Sequence, residues 1–277
     1  MPAKKMLIVD DDRELHVLVQ SMLKHSDWTA ESAYAGAEAL LRLQDDAYDI
    51  VLTDILMPEM DGITLLSRIQ SIRPEAKVLI MTAYNRPDRV AASLRGRASG
   101  YLAKPFSRDK LMEALADALA WNMEPSDIEV LSDRPNWIAV KACCKLETAD
   151  RLAQFFRDLP GDLETGQREM ASTAFRELLM NAVEHGGLLD PEKTVELHFI
   201  RTERSIVYYV RDPGQGFSFD KIPHAAISNP TAPFEHARLR EQMGLRPGGF
   251  GLLLAKNFAD EVLYNSKGNE VILIKHL

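Results

Sequence analysis

Carboxylate, hydroxyl and amine side chains recur at fixed points along the first part of this 277-residue chain, each just past a short apolar run. Asp10, Asp11 and Asp12 follow Met6–Val9, Asp54 follows the run at Ile50–Leu52, Thr82 follows Val78–Met81, and Lys104 comes shortly after Tyr101–Leu102. Carboxylates gathered in one crevice repel one another unless a cation joins them. Hard oxygen donors that leave room for water and phosphate suit Mg²⁺. A carboxylate nucleophile beside such an ion can carry a phosphoryl group as an acyl phosphate. Asp54 stands alone on its run and is the natural nucleophile, and Lys104 supplies a mobile charge for a phosphoryl oxygen. Taken singly these are ordinary residues, since Asp caps helices and Thr packs well in strands. Their order and placement are what point to chemistry.

Three further constellations lie in the second half. In Phe175-Arg-Glu-Leu-Leu-Met-Asn-Ala-Val-Glu-His-Gly186, the residues Glu177, Asn181 and His185 stand four apart. On an α-helix that spacing makes one polar row, able to hold Mg²⁺ and to activate a hydroxyl. In Arg211-Asp-Pro-Gly-Gln-Gly-Phe217, Asp212 closes a strand, and Gly214 and Gly216 let backbone approach a planar ligand such as adenine. In Arg246-Pro-Gly-Gly-Phe-Gly251 a glycine-rich loop opens a helix, where backbone N–H groups and the helix dipole favour phosphate. A solvated helix face, a plain Asp-Pro-Gly turn and a mobile linker are the bland readings of the three.

The elements that must position these residues follow from hydrophobic periodicity. Up to residue 122 the runs at Met6–Val9, Thr29–Ala33, Ile50–Leu52, Val78–Met81 and Tyr101–Leu102 alternate with amphipathic stretches. Strand and helix alternating five times imply a parallel sheet covered on both faces, with ligands at the carboxyl ends of the strands. Residues 123–136, with two prolines, read as a linker. The remainder, 137–277, starts with a strand at 137–145 and helices at Thr148–Leu159 and Gly166–His185. Alternating strands follow at Val195–Phe199 and Ser205–Arg211, then a helix at Leu252–Ala259 and a hairpin, Glu261–Asn265 with Glu270–Ile274. Helices first and antiparallel strands after suggest an α/β sandwich with its helices on one face.

Composition narrows the function classes. With 46% hydrophobic and 27% charged residues the chain has material for two cores. Residues 1–122 hold 15 Lys and Arg against 18 Asp and Glu, and the rest 18 against 23, so neither part is basic. A nucleic-acid-binding output is therefore not expected. No apolar run approaches the roughly 18 residues of a membrane helix, and the start does not read as a signal peptide. The adjacent Cys143 and Cys144 would point to opposite faces of a strand, which fits reduced thiols and a cytoplasmic protein.

The motifs Leu-Ile-Val-Asp-Asp (7–11), Leu-Thr-Asp-Ile-Leu-Met-Pro-Glu-Met-Asp-Gly (52–62), Met-Thr-Ala (81–83) and Lys-Pro-Phe (104–106) resemble response-regulator receivers. The resemblance implies a flavodoxin-like, doubly wound α/β domain in which Asp10, Asp11 and Asp54 hold Mg²⁺ and Asp54 accepts the phosphoryl group. It also implies that Thr82 and Tyr101 form the switch pair and that Lys104–Pro105 is a cis peptide. The second-half constellations, in order, resemble the N, G1 and G2 boxes of the Bergerat-type ATPases (gyrase, MutL and histidine kinases). The ending, 249–275, is similar to the anti-sigma-factor serine kinase branch. This second resemblance implies that Asn181 coordinates Mg²⁺, Asp212 binds the adenine amino group, and Gly248, Gly249 and Gly251 contact the phosphates of ATP. His185, Gly214 and Gly216 complete the nucleotide site, Glu177 is the general base, and 217–244 is a lid with its own helix at Phe234–Gln242.

The function implied is a response regulator whose phosphorylation at Asp54 controls an ATP-dependent serine/threonine protein kinase of the partner-switching type. None of the seven histidines opens a phospho-acceptor box, and no dimerisation hairpin fits between the two parts. Two alternatives stay open: an ATP-binding module that sequesters a protein without phosphorylating it, and an atypical histidine kinase lacking its own phospho-acceptor domain. The implied partners are an upstream histidine kinase or phosphotransfer protein, and an anti-sigma-factor antagonist-like protein or a sigma factor. A homodimer is left open, and neither nucleic acid nor membrane is implied.

Overall fold

The apolar runs become strands because they are long enough to cross a core and too short for a helix. The computed structural model describes residues 3–83, 86–121, 127–161, 163–216 and 251–277. The chain divides into two compact units, and apart from Arg86–Asp88, which group with the second, the division falls between the described residues Trp121 and Asp127.

In the first unit, strands β1 (Lys4–Val9), β2 (Trp28–Ala33), β3 (Ile50–Asp54), β4 (Val78–Thr82) and β5 (Gly100–Ala103) alternate with helices α1 (Arg13–Met22), α2 (Gly36–Asp45), α3 (Gly62–Ile72), α4 (Pro87–Arg95) and α5 (Arg108–Ala120). The strands pair in parallel in the order β2-β1-β3-β4-β5, the flavodoxin-like arrangement. Strands buried on both faces lose the two-residue alternation. Accordingly β3 and β4 are buried at every position. The helices after β1, β3 and β5 start on side-chain caps: Asp12 accepts from the Glu14 N–H, Asp61 from Thr64 and Ser107 from Lys110.

In the second unit, β6 (Ile128–Arg134), β7 (Trp137–Cys143), β8 (Thr194–Arg201), β9 (Ser205–Arg211), β10 (Glu261–Tyr264) and β11 (Glu270–His276) form an antiparallel sheet in the order β10-β11-β9-β8-β7-β6. Helices α6 (Leu146–Arg157), α7 (Thr165–Asn181) and α8 (Gly251–Phe258) accompany it. Alternation is now visible: Val195, Leu197 and Phe199 of β8 are buried, whereas Glu196 and His198 are only half-buried. The buried side meets the helices through aromatic contacts. Phe156 stacks on Phe175 at 5.1 Å, and Tyr208 lies 5.3 Å from Phe175 and 6.5 Å from Phe258.

Two expectations need correction. The segment 123–136 is not wholly a linker, because Ile128–Arg134 is a strand pairing with β7. It is an edge strand with a bulge between Val130 and Ser132 and several polar exposed residues, so its alternation is interrupted. Helix α7 does not run unbroken to His185. It passes at Ala182 into one turn of π-helix, Ala182–Gly186, closed by the Gly187 N–H donating to the Ala182 carbonyl at 2.8 Å.

Candidate functional site

In the first unit the polar residues at the strand ends are brought together. Asp10 and Asp54 are buried, and the Lys104 ammonium lies 2.7 Å from Asp10 Oδ2 and 2.9 Å from Asp54 Oδ1. The other oxygen of each carboxylate is held by backbone: the Asp12 N–H donates to Asp10 Oδ1 at 2.8 Å, and the Leu56 N–H to Asp54 Oδ2 at 2.9 Å. Gly62 packs so closely on the Asp54 carbonyl that a Cβ there would overlap it. Burial holds the Asp54 carboxyl above the ordinary aspartate range, against the pull of Lys104. Burial opposes the charged form of Lys104, but its bonds to Asp10 and Asp54 outweigh that and raise it above an ordinary lysine. Thr82 is buried at the end of β4, where its carbonyl accepts from the Lys104 N–H at 2.7 Å. Tyr101 is buried on β5, and Lys104–Pro105 is cis.

The expected metal triad is only partly assembled. Asp11 is exposed, and among the described residues no three His, Cys, Asp or Glu side chains converge as a metal site would. Mg²⁺ needs only one or two carboxylates, keeping water in its other positions. The donor chemistry of Asp10 and Asp54 therefore fits the ion, with Lys104 as the cation that balances the pair.

In the second unit, Glu177 and Asn181 lie on one face of the last turn of α7, both half-buried. Glu177 Oε2 is buried and has no hydrogen-bond partner among the described residues. His185 does not extend the row: the π-turn adds a residue to the helical repeat, and His185 is exposed. What the π-turn delivers to the site is Gly186. A Cβ on Gly186 would overlap the Asp212 carboxylate, and one on Gly214 would lie 2.9 Å from Gly186 Cα.

Asp212 follows β9 directly. The Gly214 N–H donates to its Oδ1 at 2.7 Å. Burial raises the Asp212 carboxyl above the ordinary range, only partly offset by that hydrogen bond and by Lys267. Gly216 has φ +77° and abuts the Lys267 carbonyl, a conformation and an approach that require glycine. Gly251 opens α8, whereas Gly248, Gly249, the 217–244 segment and the helix expected at Phe234–Gln242 lie outside the described residues. Residues not anticipated from sequence are Gly186 and the pair Asn265 and Asn269, whose side chains hold the loop carrying Asp212. The only sequence signal for the pair is the turn-like composition of Asn265-Ser-Lys-Gly-Asn269.

Both cysteines are free and buried. Burial pushes the Cys144 thiol up to about 11 and raises Cys143 as well. No described helix is long and apolar enough to cross a membrane.

Residues 6–116 match the family described as "Response regulator receiver domain", and residues 144–275 match "Histidine kinase-like ATPase domain". The chemotaxis protein CheY of Listeria monocytogenes is 36% identical over 115 residues, covering 41% of this chain and 97% of CheY. The transcriptional regulatory protein ZraR of Salmonella typhimurium is 37% identical over 118 residues, covering 43% of this chain. The chain spans only 27% of the length of that regulator. A crystal structure of a receiver domain protein from Clostridium thermocellum aligns with a TM-score of 0.40 at 26% identity, covering 42% of this chain and 94% of that one. The chain thus belongs, through its first unit, to the response-regulator receiver family. Its second unit carries a histidine kinase-like ATPase domain.

Proposed function

We propose that the protein is a response regulator whose phosphorylation at Asp54 controls an ATP-dependent serine/threonine protein kinase of the partner-switching type. An upstream histidine kinase or phosphotransfer protein is the phosphoryl source. The Asp54 carboxylate attacks phosphorus, the donor's leaving group departs, and Lys104 and Thr82 are placed for the incoming phosphoryl oxygens. Asp10 and Asp54 would hold a Mg²⁺ ion, which would supply charge neutralisation there.

The observation that carries the kinase reading is Glu177 Oε2, a buried acceptor on the same face as Asn181 with no partner among the described residues. Leaving such an atom unpaired costs about 1–3 kcal/mol, a cost that supports a ligand-directed role for it. In the proposed transfer a partner's serine or threonine oxygen bonds to the γ-phosphorus of ATP, the bond to the bridging oxygen breaks and ADP leaves. Glu177 takes the hydroxyl proton. Asn181 would coordinate the Mg²⁺ that accompanies the phosphates, and Asp212 would accept the adenine amino group. The partner is an anti-sigma-factor antagonist-like protein or a sigma factor.

The test is phosphosite mapping on proteins captured with the full chain, Mg²⁺ and ATP. Acid-stable phosphoserine or phosphothreonine should form with wild type and be lost with Glu177→Gln, which should keep ATP. Capture without transfer would favour a sequestering module, and acid-labile label a histidine kinase. Unchanged ATP binding by Asn181→Ala and Asp212→Ala would remove the pocket assignment.

A further inference from the structure

The hairpin joining β10 to β11 is tied to the loop carrying Asp212 by one backbone bond and one side-chain bond. The β9–β11 ladder ends at the pair Arg211–Glu270. One rung further, the Asp212 N–H still donates to the Asn269 carbonyl at 2.9 Å. The reciprocal bond cannot come from the Asn269 backbone, because its N–H is turned to Asn265 Oδ1 at 3.1 Å. Instead Asn269 Nδ2 donates to the Asp212 carbonyl at 2.9 Å.

Asn265 holds this replacement in place. Its Oδ1 accepts from Gly268 at 2.7 Å and from Glu270 at 3.4 Å as well as from Asn269, and its Nδ2 donates to Asn269 Oδ1 at 2.9 Å. Asn269 is buried, so its amide plane is fixed by these partners and not by water. On the other side Asp212 is bounded by Gly186 and Gly214, where any added Cβ would collide with its carboxylate.

We propose that Asn265 and Asn269 are positioning residues that add a side-chain rung to the sheet, fixing Asp212 for recognition of the adenine base and so setting ATP over GTP. The inference rests on the ATP reading above. A turn of merely favourable sequence would need only the Asn265 acceptor. The amide Nδ2 groups aimed at Asn269 Oδ1 and at Asp212 would then be dispensable.

Near-isosteric Asp substitutions separate the two roles. Asn265→Asp keeps the acceptor for the three backbone N–H groups and loses one donor, whereas Asn269→Asp removes the donor to the Asp212 carbonyl. With the full chain, Mg²⁺ and ATP or GTP, Asn269→Asp and Asn269→Ala should weaken ATP binding about tenfold, the equivalent of ~1.4 kcal/mol. GTP binding should change little, narrowing discrimination by the same factor. In Asn269→Ala the acid loss of ATP binding should move to lower pH as the Asp212 carboxyl gains water, whereas in Asn269→Asp the added carboxylate opposes that shift. Asn265→Ala should behave alike, and Asn265→Asp should lie between it and wild type. Asp212→Ala is the reference. If it weakens ATP while Asn269→Asp keeps wild-type affinity, base preference and pH profile, the positioning role fails and the pocket stands. If wild type binds no ATP, or Asp212→Ala binds as wild type does, the pocket reading fails and the inference with it.

Discussion

The two sites solve the same electrostatic problem in opposite ways. In the receiver the carboxylates that repel one another are already reconciled: one lysine bridges Asp10 and Asp54, and backbone N–H groups occupy their remaining oxygens. In the ATPase-like unit Glu177 and Asp212 make no ion pair among the described residues, and Glu177 Oε2 has no partner at all there. The first site is organised by contacts already made within the chain. The second is organised at its base by glycines and a hairpin, and leaves acceptor atoms for something the chain must bind. That contrast suits a switch followed by a ligand-dependent output.

The comparison breaks most visibly at Lys104. Lys104→Met leaves two buried carboxylates facing each other. Removing one partner of a buried ion pair costs about 3–5 kcal/mol, and partial exposure of Lys104 reduces that to roughly 2 kcal/mol. Burial already raises the folded-state Asp54 carboxyl, and loss of the lysine raises it further. The deficit should be full at neutral pH and shrink as pH falls through the raised value, where Asp54 takes a proton. Urea melts across pH, with and without Mg²⁺, measure both effects.

A smaller effect follows at Gly186 in the other site. Gly186→Ala puts a methyl into the Asp212 carboxylate. Overpacking of this kind costs about 1–3 kcal/mol, or roughly 5- to 150-fold in ATP affinity by calorimetry, with the receiver still accepting phosphate.

Asp212 sharpens the comparison through pH. Its raised carboxyl must be ionised to accept the adenine amino group. ATP binding should therefore fall on acidification at a higher pH than an ordinary surface aspartate would set. The ligand-free unit should show the reverse sign: a raised folded-state value contributes stability below the ordinary aspartate range, and this is lost as pH rises through the raised value. Isothermal titration and thermal melts over the same pH series read the two slopes.

The smallest effect is expected in the core beneath. The Tyr208 hydroxyl is fully buried and has no hydrogen-bond partner among the described residues. Tyr208→Phe should be neutral or stabilising by up to about 1 kcal/mol. A large loss would mean the hydroxyl is satisfied.

The receiver was legible almost to the residue because its signals reinforce one another. Strands buried on both faces are continuous apolar runs, and the reactive side chains must stand at their carboxyl ends. Asp11, expected beside Asp10 and Asp54, is exposed. The ATPase-like unit was legible in its boxes and less so in its connections. β6 was hidden by a bulge and by the polar residues of an edge strand. The π-turn that takes His185 off the row has no periodic signature in a stretch as short as Ala182–Gly186. Asn265 and Asn269 looked like turn formers because asparagine suits turns for local reasons, which say nothing of a bond to Asp212 fifty-seven residues away in sequence.

The central claim is that the two sites communicate, and ATP turnover by the full chain tests it most directly. Wild type and Asp54→Asn are compared with and without acetyl phosphate in Mg²⁺. Allosteric couplings are typically about 1–3 kcal/mol, or roughly 5- to 150-fold. Acetyl phosphate should change wild-type turnover within that range and leave Asp54→Asn unmoved. Identical responses from the two proteins would contradict the account.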